Sequence, residues 1–198
     1  MKQNYQLQTD AVLAELPAEK PGLLLHSCCG PCSSYVLEYL TRYFDVTLLF
    51  YGPNIQPEAE YRKRLYWQRE TLSHFPGVKL MECSYDGEAF EAAARGLEAE
   101  PEGGARCTKC FRLRMEETAK RAAAGGIPWF CTTLSVSPHK DAERINRIGA
   151  ELEARYGVRW LPSDFKKRNG YLRSIRLAQE FGLYRQDWCG CRFSRREE

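Results

Sequence analysis

The stretch Leu23-Leu24-Leu25-His26-Ser27-Cys28-Cys29-Gly30-Pro31-Cys32-Ser33-Ser34 decides the predicted fold. It begins with a short apolar run, passes through a cysteine-rich turn and continues into a segment in which Val36, Leu37 and Leu40 have helical spacing. A short buried strand followed at once by a helix is the first half of a βαβ unit.

Further apolar runs bounded by turn residues predict the remaining strands, at Val46–Tyr51, Val78–Cys83, Trp129–Val136 and Val158–Leu161. Between them, steps of three and four put apolar side chains on one helical face. Two such faces are Phe111, Met115, Thr118 and Ala122, and Ile145, Ile148, Leu152 and Tyr156.

Local signals predict where two helices begin or end. One helix is predicted to start with Ser137 as N-cap and Pro138 at the first position, and another is predicted to end at Gly182. The inner face of the latter helix is predicted to be Tyr171, Ile175, Ala178 and Phe181. Strands alternating with helices favour an α/β fold, a mostly parallel sheet covered on both faces. In such a sheet the ligand site lies where strand carboxyl ends enter the following loops.

Length and composition are those of one globular domain, and we expect a single domain over residues 1–198. Within it, residues 1–20 are expected to form an N-terminal helix or a flexible lead-in, and residues 159–198 a basic C-terminal segment packed on the same domain. With 43% hydrophobic and 28% charged residues, the composition excludes disordered, collagen-like and coiled-coil proteins.

No apolar run approaches the roughly eighteen residues of a membrane span, and the first twenty residues do not read as a secretory signal. We therefore expect a cytoplasmic protein without a membrane partner. Because structural disulfides are rare in the cytosol, the nine cysteines need another explanation.

The net charge of +3 is unevenly distributed along the chain. Residues 159–198 hold ten Lys and Arg against five Asp and Glu. Such a basic end indicates either a solvated surface or an anionic partner such as nucleic acid, and composition alone leaves both open.

The first chemical motif is the turn that carries Cys28, Cys29 and Cys32. A helix N-terminus presents unpaired N–H groups and partial positive charge, which favour the thiolate that binds metal or attacks disulfides. Buried cysteines also serve as small apolar residues, but three within five positions at a turn favour chemistry.

A second motif, Cys107-Thr108-Lys109-Cys110, opens another predicted helix after the Gly103-Gly104 loop. Its spacing puts both sulfurs on one side of the first turn. Together with Cys28 and Cys29 it supplies four thiolates, a set that suits zinc or an iron–sulfur cluster.

The third motif is Cys189-Gly190-Cys191, near the C-terminus. Cysteines separated by one residue close a ring only with strain, and strained disulfides are the labile, redox-active kind. Two further metal ligands are the alternative. Cys83 and Cys131, by contrast, lie within apolar strand patterns and are predicted to belong to the core.

For several other polar residues the sequence indicates a role less specifically. Asn54 either holds a ligand or caps the helix that starts near Pro57, and His26 is either close to the metal site or a core histidine. The run from Thr132 to Lys140 is a candidate anion site at a helix N-terminus. A solvated helix face is expected for Arg62, Lys63, Arg64 and Arg69.

The motifs together resemble one family. They are Leu25–Ser34, Phe50–Ile55, Cys107–Arg114, Ser137–Lys140, Asp164–Tyr171 and Leu183–Cys191, found in order between about Leu23 and Phe193. This set resembles the cobalamin-independent epoxyqueuosine reductases of bacteria, which remove the epoxide oxygen from epoxyqueuosine at the wobble position of tRNA in the last step of queuosine synthesis.

The resemblance implies several properties. The fold is Rossmann-like, of the nucleotide alpha-hydrolase type. A [4Fe-4S] cluster is held by residues matching Cys28, Cys29, Cys107 and Cys110, and the pair matching Cys189 and Cys191 is redox-active. The macromolecular partner is tRNA carrying epoxyqueuosine rather than DNA, and an electron donor that the sequence does not identify is required.

The chemistry is consistent with this resemblance, because deoxygenating an epoxide takes two electrons and two protons and puts negative charge on the leaving oxygen. A cluster iron, or an additional iron beside the cluster, can act as a Lewis acid on that oxygen. Cys189 and Cys191 either relay electrons or supply a metal ligand.

Two functions of other classes also fit parts of the sequence. Cys29-Gly30-Pro31-Cys32 after a strand is typical of a thioredoxin-like thiol oxidoreductase, although this function leaves Cys28, Cys107 and Cys110 unexplained. A zinc-stabilised tRNA-binding module without catalysis is the other.

Overall fold

The computed structural model describes residues 3–195 and contains a five-stranded sheet whose neighbouring strands are all parallel. The strands are β1 Gly22–Ser27, β2 Asp45–Phe50, β3 Lys79–Glu82, β4 Trp129–Thr132 and β5 Arg159–Trp160, in the spatial order β3-β2-β1-β4-β5.

Seven α-helices surround the sheet in the described part of the chain: α1 Tyr5–Ala14, α2 Gly30–Leu40, α3 Glu58–Ser73, α4 Gly87–Ala94, α5 Ala105–Ala124, α6 Ala142–Tyr156 and α7 Gly170–Glu180. Helix α2 packs against α3 and α7, whereas α5 packs against α4 and α6. These two groups cover opposite faces, since right-handed crossovers that proceed in opposite directions along a sheet place their helices on opposite sides. The predicted α/β class is confirmed.

The chain reverses direction at the centre of the sheet. From β1 it proceeds outward to β2 and β3, then returns to β4, which pairs with the other side of β1. The loops after β1 and β4 therefore leave in opposite directions and open a crevice at their carboxyl ends, where ligands bind in open α/β sheets.

The buried faces follow the sequence pattern in most helices. Phe111, Met115, Thr118 and Ala122 of α5 are all buried. In α7 the buried side chains are Ser174, Leu177 and Ala178, whereas Tyr171 and Ile175, predicted for the inner face, are only half-buried. Gly182 follows α7 with φ of 63°, as predicted for a helix end.

Two predicted boundaries near β4 are wrong. The strand expected over Trp129–Val136 ends at Thr132, where the threonine side chain accepts a hydrogen bond from Leu134 N and starts a 3-10 turn, Thr133–Val136. The helix expected from Ser137 begins at Ala142, because the Asp141 side chain caps it by accepting from Arg144 N.

A glycine permits the close approach of α3 to the start of α2. A Cβ atom at Gly30 would lie 2.7 Å from Trp67 O and 2.3 Å from Thr71 Oγ1. A larger residue there would push α3 away from the cysteine-bearing turn.

Membrane-crossing segments are not found among residues 3–195, where each helix is too short or too polar to span a bilayer.

Candidate functional site

A cavity of about 480 Å³ lies at the carboxyl ends of β1 and β4. Its lining combines the turn after β1, the 3-10 turn after β4 and the C-terminal segment. Lining side chains from these segments include Cys28, Cys29, Cys32, Thr133, Lys140, Trp188 and Cys189. The cavity thus lies at the chain reversal, where the fold class predicts a ligand site.

The two predicted cysteine pairs meet at this end of the sheet. Cys28 and Cys29 follow β1, and Cys29 is the N-cap residue of α2. Cys107 and Cys110 lie in the first two turns of α5, and all four side chains are buried. The backbone of α5 contacts β1 and β4, which brings its N-terminus to the turn after β1.

Arg114 lies between these pairs. Its Nε donates a hydrogen bond to Cys110 O at 3.2 Å, and its Nη1 lies 3.7 Å from Cys28 Sγ. Burial favours the neutral guanidine, but the neighbouring sulfurs, first Cys110 and then Cys28, outweigh this effect and raise the pKa of Arg114. A buried positive charge therefore lies among the thiols.

Sequence reasoning assigned no role to Arg114, although it stands one helical turn after Cys110. That spacing places both side chains on the same face of α5, and it is the feature of the sequence that could have indicated a role for Arg114 beside the cysteines.

The thiols differ in their tendency to ionise. Burial raises the pKa of Cys110 to about 11. The hydrogen bond with Cys29 and burial raise the pKa of Cys28, against the opposing charge of Arg114. These thiols thus stay protonated unless a cation binds them, because only a positive charge at the sulfurs offsets the cost of a buried thiolate.

Cys189 and Cys191 lie side by side as free thiols, with their sulfurs 3.6 Å apart. Ser194 Oγ lies 3.0 Å from Cys189 Sγ. The hydrogen bond with Cys191 and the charge of Lys140 hold the pKa of Cys189 well below its usual range, although burial opposes them; the same hydrogen bond raises the pKa of Cys191. Cys189 is therefore the member of the pair that ionises more readily.

This pair belongs to the same site as the other cysteines. Cys189 lines the cavity, and Cys191 packs with Cys110, Phe90 and Ala94. The residue between them, Gly190, has φ of 109°, and a Cβ there would lie 3.1 Å from both Ile55 and Arg64. Glycine thus permits both the backbone turn and the close approach to α3.

Arg64 holds the C-terminal segment in place. It is 1% exposed, pairs with Glu60 at 2.6 Å, and donates to Cys189 O at 3.2 Å and Trp188 O at 3.3 Å. The expectation that Arg64 belongs to a solvated helix face is therefore wrong. Its charge is retained in the interior because a carboxylate and two carbonyl groups replace water.

The other members of that expected face behave differently. Arg62 and Arg69 are exposed and pair with Glu58 and Glu82, as predicted for a solvated surface. Lys63 Nζ lies 3.6 Å from the ring centroid of Tyr184, so this lysine also contacts the C-terminal segment.

His26 is a core histidine in this structure. It is fully buried, hydrogen-bonded to Thr132 Oγ1 at 2.8 Å and to Tyr51 O at 2.9 Å. Burial, together with the charge of Arg114, lowers the pKa of His26 to about 3. It is therefore neutral and joins β1 to β4 and to the end of β2.

Asn54 does not cap α3, for which Pro57 is the N-cap residue. Its Nδ2 instead donates to Cys189 O at 3.3 Å, and Gln56 N donates to Gly190 O at 2.9 Å. The loop after β2 thus helps Arg64 to hold the C-terminal cysteines.

The predicted core cysteines are buried: Cys83 at the end of the β3 region is 9% exposed and Cys131 within β4 is 1% exposed. Neither lines the cavity.

The chemistry of the donor set is compatible with a [4Fe-4S] cluster. Among residues 3–195, no three His, Cys, Asp or Glu side chains are grouped closely enough to hold one metal ion. Structural zinc requires four ligands converging at about 2.0–2.3 Å. A [4Fe-4S] cluster takes one thiolate on each of four irons, so its ligands surround a wider body. The four buried thiols lie in the turn after β1 and in the first two turns of α5, with Arg114 and Lys140 near them to offset negative charge, and they supply that number of ligands.

Comparisons with known proteins give a consistent result. A family profile described as "Epoxyqueuosine reductase QueH" matches residues 23–197. The chain is 42% identical to the epoxyqueuosine reductase QueH of Streptococcus pyogenes serotype M1, over 96% of this chain and 77% of that protein. It is 41% identical to the corresponding protein of Staphylococcus epidermidis, over 96% and 86% of the two chains.

A solved structure shares the fold at low sequence identity. The U34-tRNA thiolase NcsA from Methanococcus maripaludis, determined with its [4Fe-4S] cluster, superposes with a TM-score of 0.58 at 10% identity, covering 96% of this chain and 67% of that chain. At this identity the likeness concerns the fold.

Proposed function

This chain belongs to the epoxyqueuosine reductase QueH family, and from that membership we propose how its residues carry out the reduction of epoxyqueuosine to queuosine at the wobble position of tRNA. The observation that carries the proposal is that the first and third cysteine motifs line one cavity at the chain reversal of the sheet, while Cys110 of the second motif packs against Cys191.

The reaction has a defined balance. Both bonds from carbon to the epoxide oxygen break, a carbon–carbon double bond forms, and the oxygen leaves as water after taking up two electrons and two protons. Protein side chains other than thiols do not supply electrons, so the site needs a redox group.

Cys28, Cys29, Cys107 and Cys110 would hold a [4Fe-4S] cluster. When bound, the cluster would supply electrons singly. Because four cysteines occupy all four irons, a Lewis acid for the substrate oxygen would require an additional iron beside the cluster. Arg114 supports the same role from the protein side, since its buried charge lowers the cost of gathering four thiolates in a dry site.

Cys189 and Cys191 match the electron count of the reaction. Oxidation of this dithiol to a disulfide forms one S–S bond and releases two electrons and two protons, the same number that the substrate consumes. Their sulfurs are already adjacent, and Cys189 faces the cavity. An external reductant must then return the disulfide to the dithiol.

The thioredoxin-like alternative receives no support from the pKa of Cys29. The hydrogen bond with Cys28 favours its thiolate, but the hydrogen bond with Cys32 and burial prevail, and the pKa of Cys29 is raised to about 12. A thioredoxin-type nucleophile needs a lowered pKa.

The tRNA partner is proposed to contact the rim of the cavity. Many cations of the basic C-terminal segment are already paired, including Lys166 with Asp164 and Arg168 with Asp10. Lys167, Arg176 and Arg185 are exposed and have no acidic partner among residues 3–195, and Arg185 lines the cavity. Arg159 and Arg195 of the same segment are likewise exposed and without an acidic partner among residues 3–195. All five are candidates for phosphate contacts, and Arg185 is the one that lines the cavity.

The test is anaerobic purification followed by iron and sulfide analysis and a turnover assay on tRNA that carries epoxyqueuosine. The proposal expects about four irons and four sulfides per chain and conversion of epoxyqueuosine to queuosine. A colourless, zinc-containing protein that binds tRNA without converting it would instead support the zinc-stabilised binding module.

A further inference from the structure

Two residues that line the cavity each carry a buried, unpartnered polar atom. Among residues 3–195, four buried side-chain nitrogen or oxygen atoms have no hydrogen-bond partner, and two of them are Thr133 Oγ1 and Gln186 Oε1. Both residues line the cavity. Buried polar groups are normally paired because an unmade hydrogen bond is costly, so this pair of exceptions in one cavity points to a ligand.

The neighbouring hydroxyl groups differ from that of Thr133 because they have hydrogen-bond partners within the protein. Thr132 Oγ1 contacts His26 Nδ1 and accepts from Leu134 N, and Ser135 Oγ is bonded to Ser163 Oγ. Neither Thr132 nor Ser135 lines the cavity. Of Thr132, Thr133 and Ser135, only Thr133 lines the cavity, and it is also the one whose hydroxyl has no protein partner among residues 3–195; Thr133 is 1% exposed.

Two buried charged donors of the cavity, Arg64 and Arg114, are already engaged by the protein. Arg64 is bonded to Glu60 and to the carbonyls of Trp188 and Cys189. Arg114 donates to Cys110 O and approaches Cys28 Sγ. The Thr133 hydroxyl is therefore a buried donor that a ligand can use without breaking an existing bond.

We infer that the Thr133 hydroxyl donates a hydrogen bond to the epoxide oxygen of the bound substrate, and that the Gln186 amide binds a polar group elsewhere on the same nucleoside. This inference rests on the proposed function. Negative charge grows on the epoxide oxygen as its bonds to carbon break, so a donor at that atom stabilises the transition state more than the bound substrate. A contact to an unreacting group stabilises both equally.

These two roles predict different kinetic effects. With reconstituted enzyme and tRNA carrying epoxyqueuosine, Thr133→Val should lower kcat by about ten- to a hundredfold and leave KM nearly unchanged. Thr133→Ser, which keeps the hydroxyl, should recover most of the activity. Gln186→Met should raise KM several-fold with little change in kcat. The iron content of all three variants should equal that of the wild type.

Thermal unfolding provides a second readout that is independent of activity. Thr133→Val should unfold at the wild-type temperature or above, because the hydroxyl has no protein partner to lose. The matched control is Thr9→Val, at a fully buried threonine whose Oγ1 donates to Tyr5 O at 2.9 Å and Pro162 O at 2.7 Å. This control should lower the unfolding temperature.

Two results would overturn the inference: a Thr133→Val variant as active as the wild type, or one that loses as much stability as Thr9→Val, since that loss would mean the hydroxyl is bonded within the protein. An inactive wild-type enzyme would contradict the proposed function itself and is thus distinguishable from a failure at Thr133 alone.

Discussion

Arg64 Nη1 donates a hydrogen bond to the backbone carbonyl of Cys189 at 3.2 Å, so a buried side chain of α3 binds a segment 125 residues later in the chain. The same guanidinium reaches Trp188 O and lies 5.3 Å from the centroid of the Trp188 ring. The position of the redox-active cysteine candidates therefore depends on one arginine outside any cysteine motif.

Replacing Arg64 should loosen the C-terminal segment. In Arg64→Met, two carbonyl groups and the Glu60 carboxylate lose their donor, and we expect a loss of about 2–4 kcal/mol in the free energy of unfolding. Under anaerobic conditions Cys189 should react faster with an alkylating reagent, measured by mass spectrometry of the labelled peptide.

Arg62→Met, at an exposed ion pair on the same helix, is the control. It should lower the free energy of unfolding by less than about 1 kcal/mol and leave the labelling rate of Cys189 unchanged. Equal labelling of both variants would show that Arg64 does not hold the segment.

Cluster binding should depend on four particular cysteines. Replacing any one of Cys28, Cys29, Cys107 or Cys110 by Ala removes one of the four proposed thiolate ligands, and bound iron and sulfide should fall severely after anaerobic reconstitution. Cys131→Ala is the matched control, because this cysteine is also buried but lies within β4 and belongs to none of the three cysteine motifs. It should keep the brown colour and the metal content. Loss of colour in Cys131→Ala with colour retained in Cys107→Ala would contradict the ligand assignment.

Electron handling should be separable from metal binding. The double variant Cys189→Ser, Cys191→Ser should retain the iron and the visible absorption but lose turnover of epoxyqueuosine tRNA, because it cannot release two electrons by forming a disulfide. Undiminished turnover would exclude the redox role. Loss of iron from this variant would instead place both cysteines among the metal ligands.

Binding of tRNA should depend on the unpaired cations near the cavity rim. Reversal of Lys167 and Arg185 to Glu removes two candidate phosphate contacts and should weaken tRNA affinity. The slope of log affinity against log salt should become shallower by about 1.4, at about 0.7 per contact with a single-stranded segment.

The matched control for that experiment reverses Arg42 and Lys120, which are exposed and precede β2 and β4 at the opposite edge of the sheet. This variant has the same net charge as the rim variant. If both variants change the slope equally, the effect is one of overall charge, and the tRNA does not bind specifically at the rim.

Local residue patterns were sufficient to predict much of the fold. Runs such as Leu23–His26 are too apolar to be exposed, and the period of α5 buries Phe111 and Met115 together. Since the carboxyl ends of parallel strands share one edge, a cysteine turn after β1 could be expected near other turns at that edge. Helix boundaries were less certain, because Ser137 and Asp141 are both good N-caps. Ser137 ends the 3-10 turn Thr133–Val136, and Asp141 caps α6.

Chain composition overstated the basic character of the C-terminal segment. A charge count over residues 159–198 includes only the acidic residues of that segment. In the structure Arg168 and Arg173 pair with Asp10 and Glu38, which lie far away along the chain. Such pairings arise from packing of α1, α2 and α7 and leave no local signature.

The sequence by itself determined the α/β class and the positions of the three cysteine motifs, from which the four-thiolate set is predicted, because strand periodicity, helix starts and cysteine spacing are local properties. Only the tertiary structure decided that Arg64 and Arg114 are buried among the cysteines and that the Thr133 hydroxyl lacks a partner in the cavity wall. The physical reason is that burial and hydrogen bonding of a polar side chain depend on atoms brought near it by folding, and those atoms belong to segments distant in the chain.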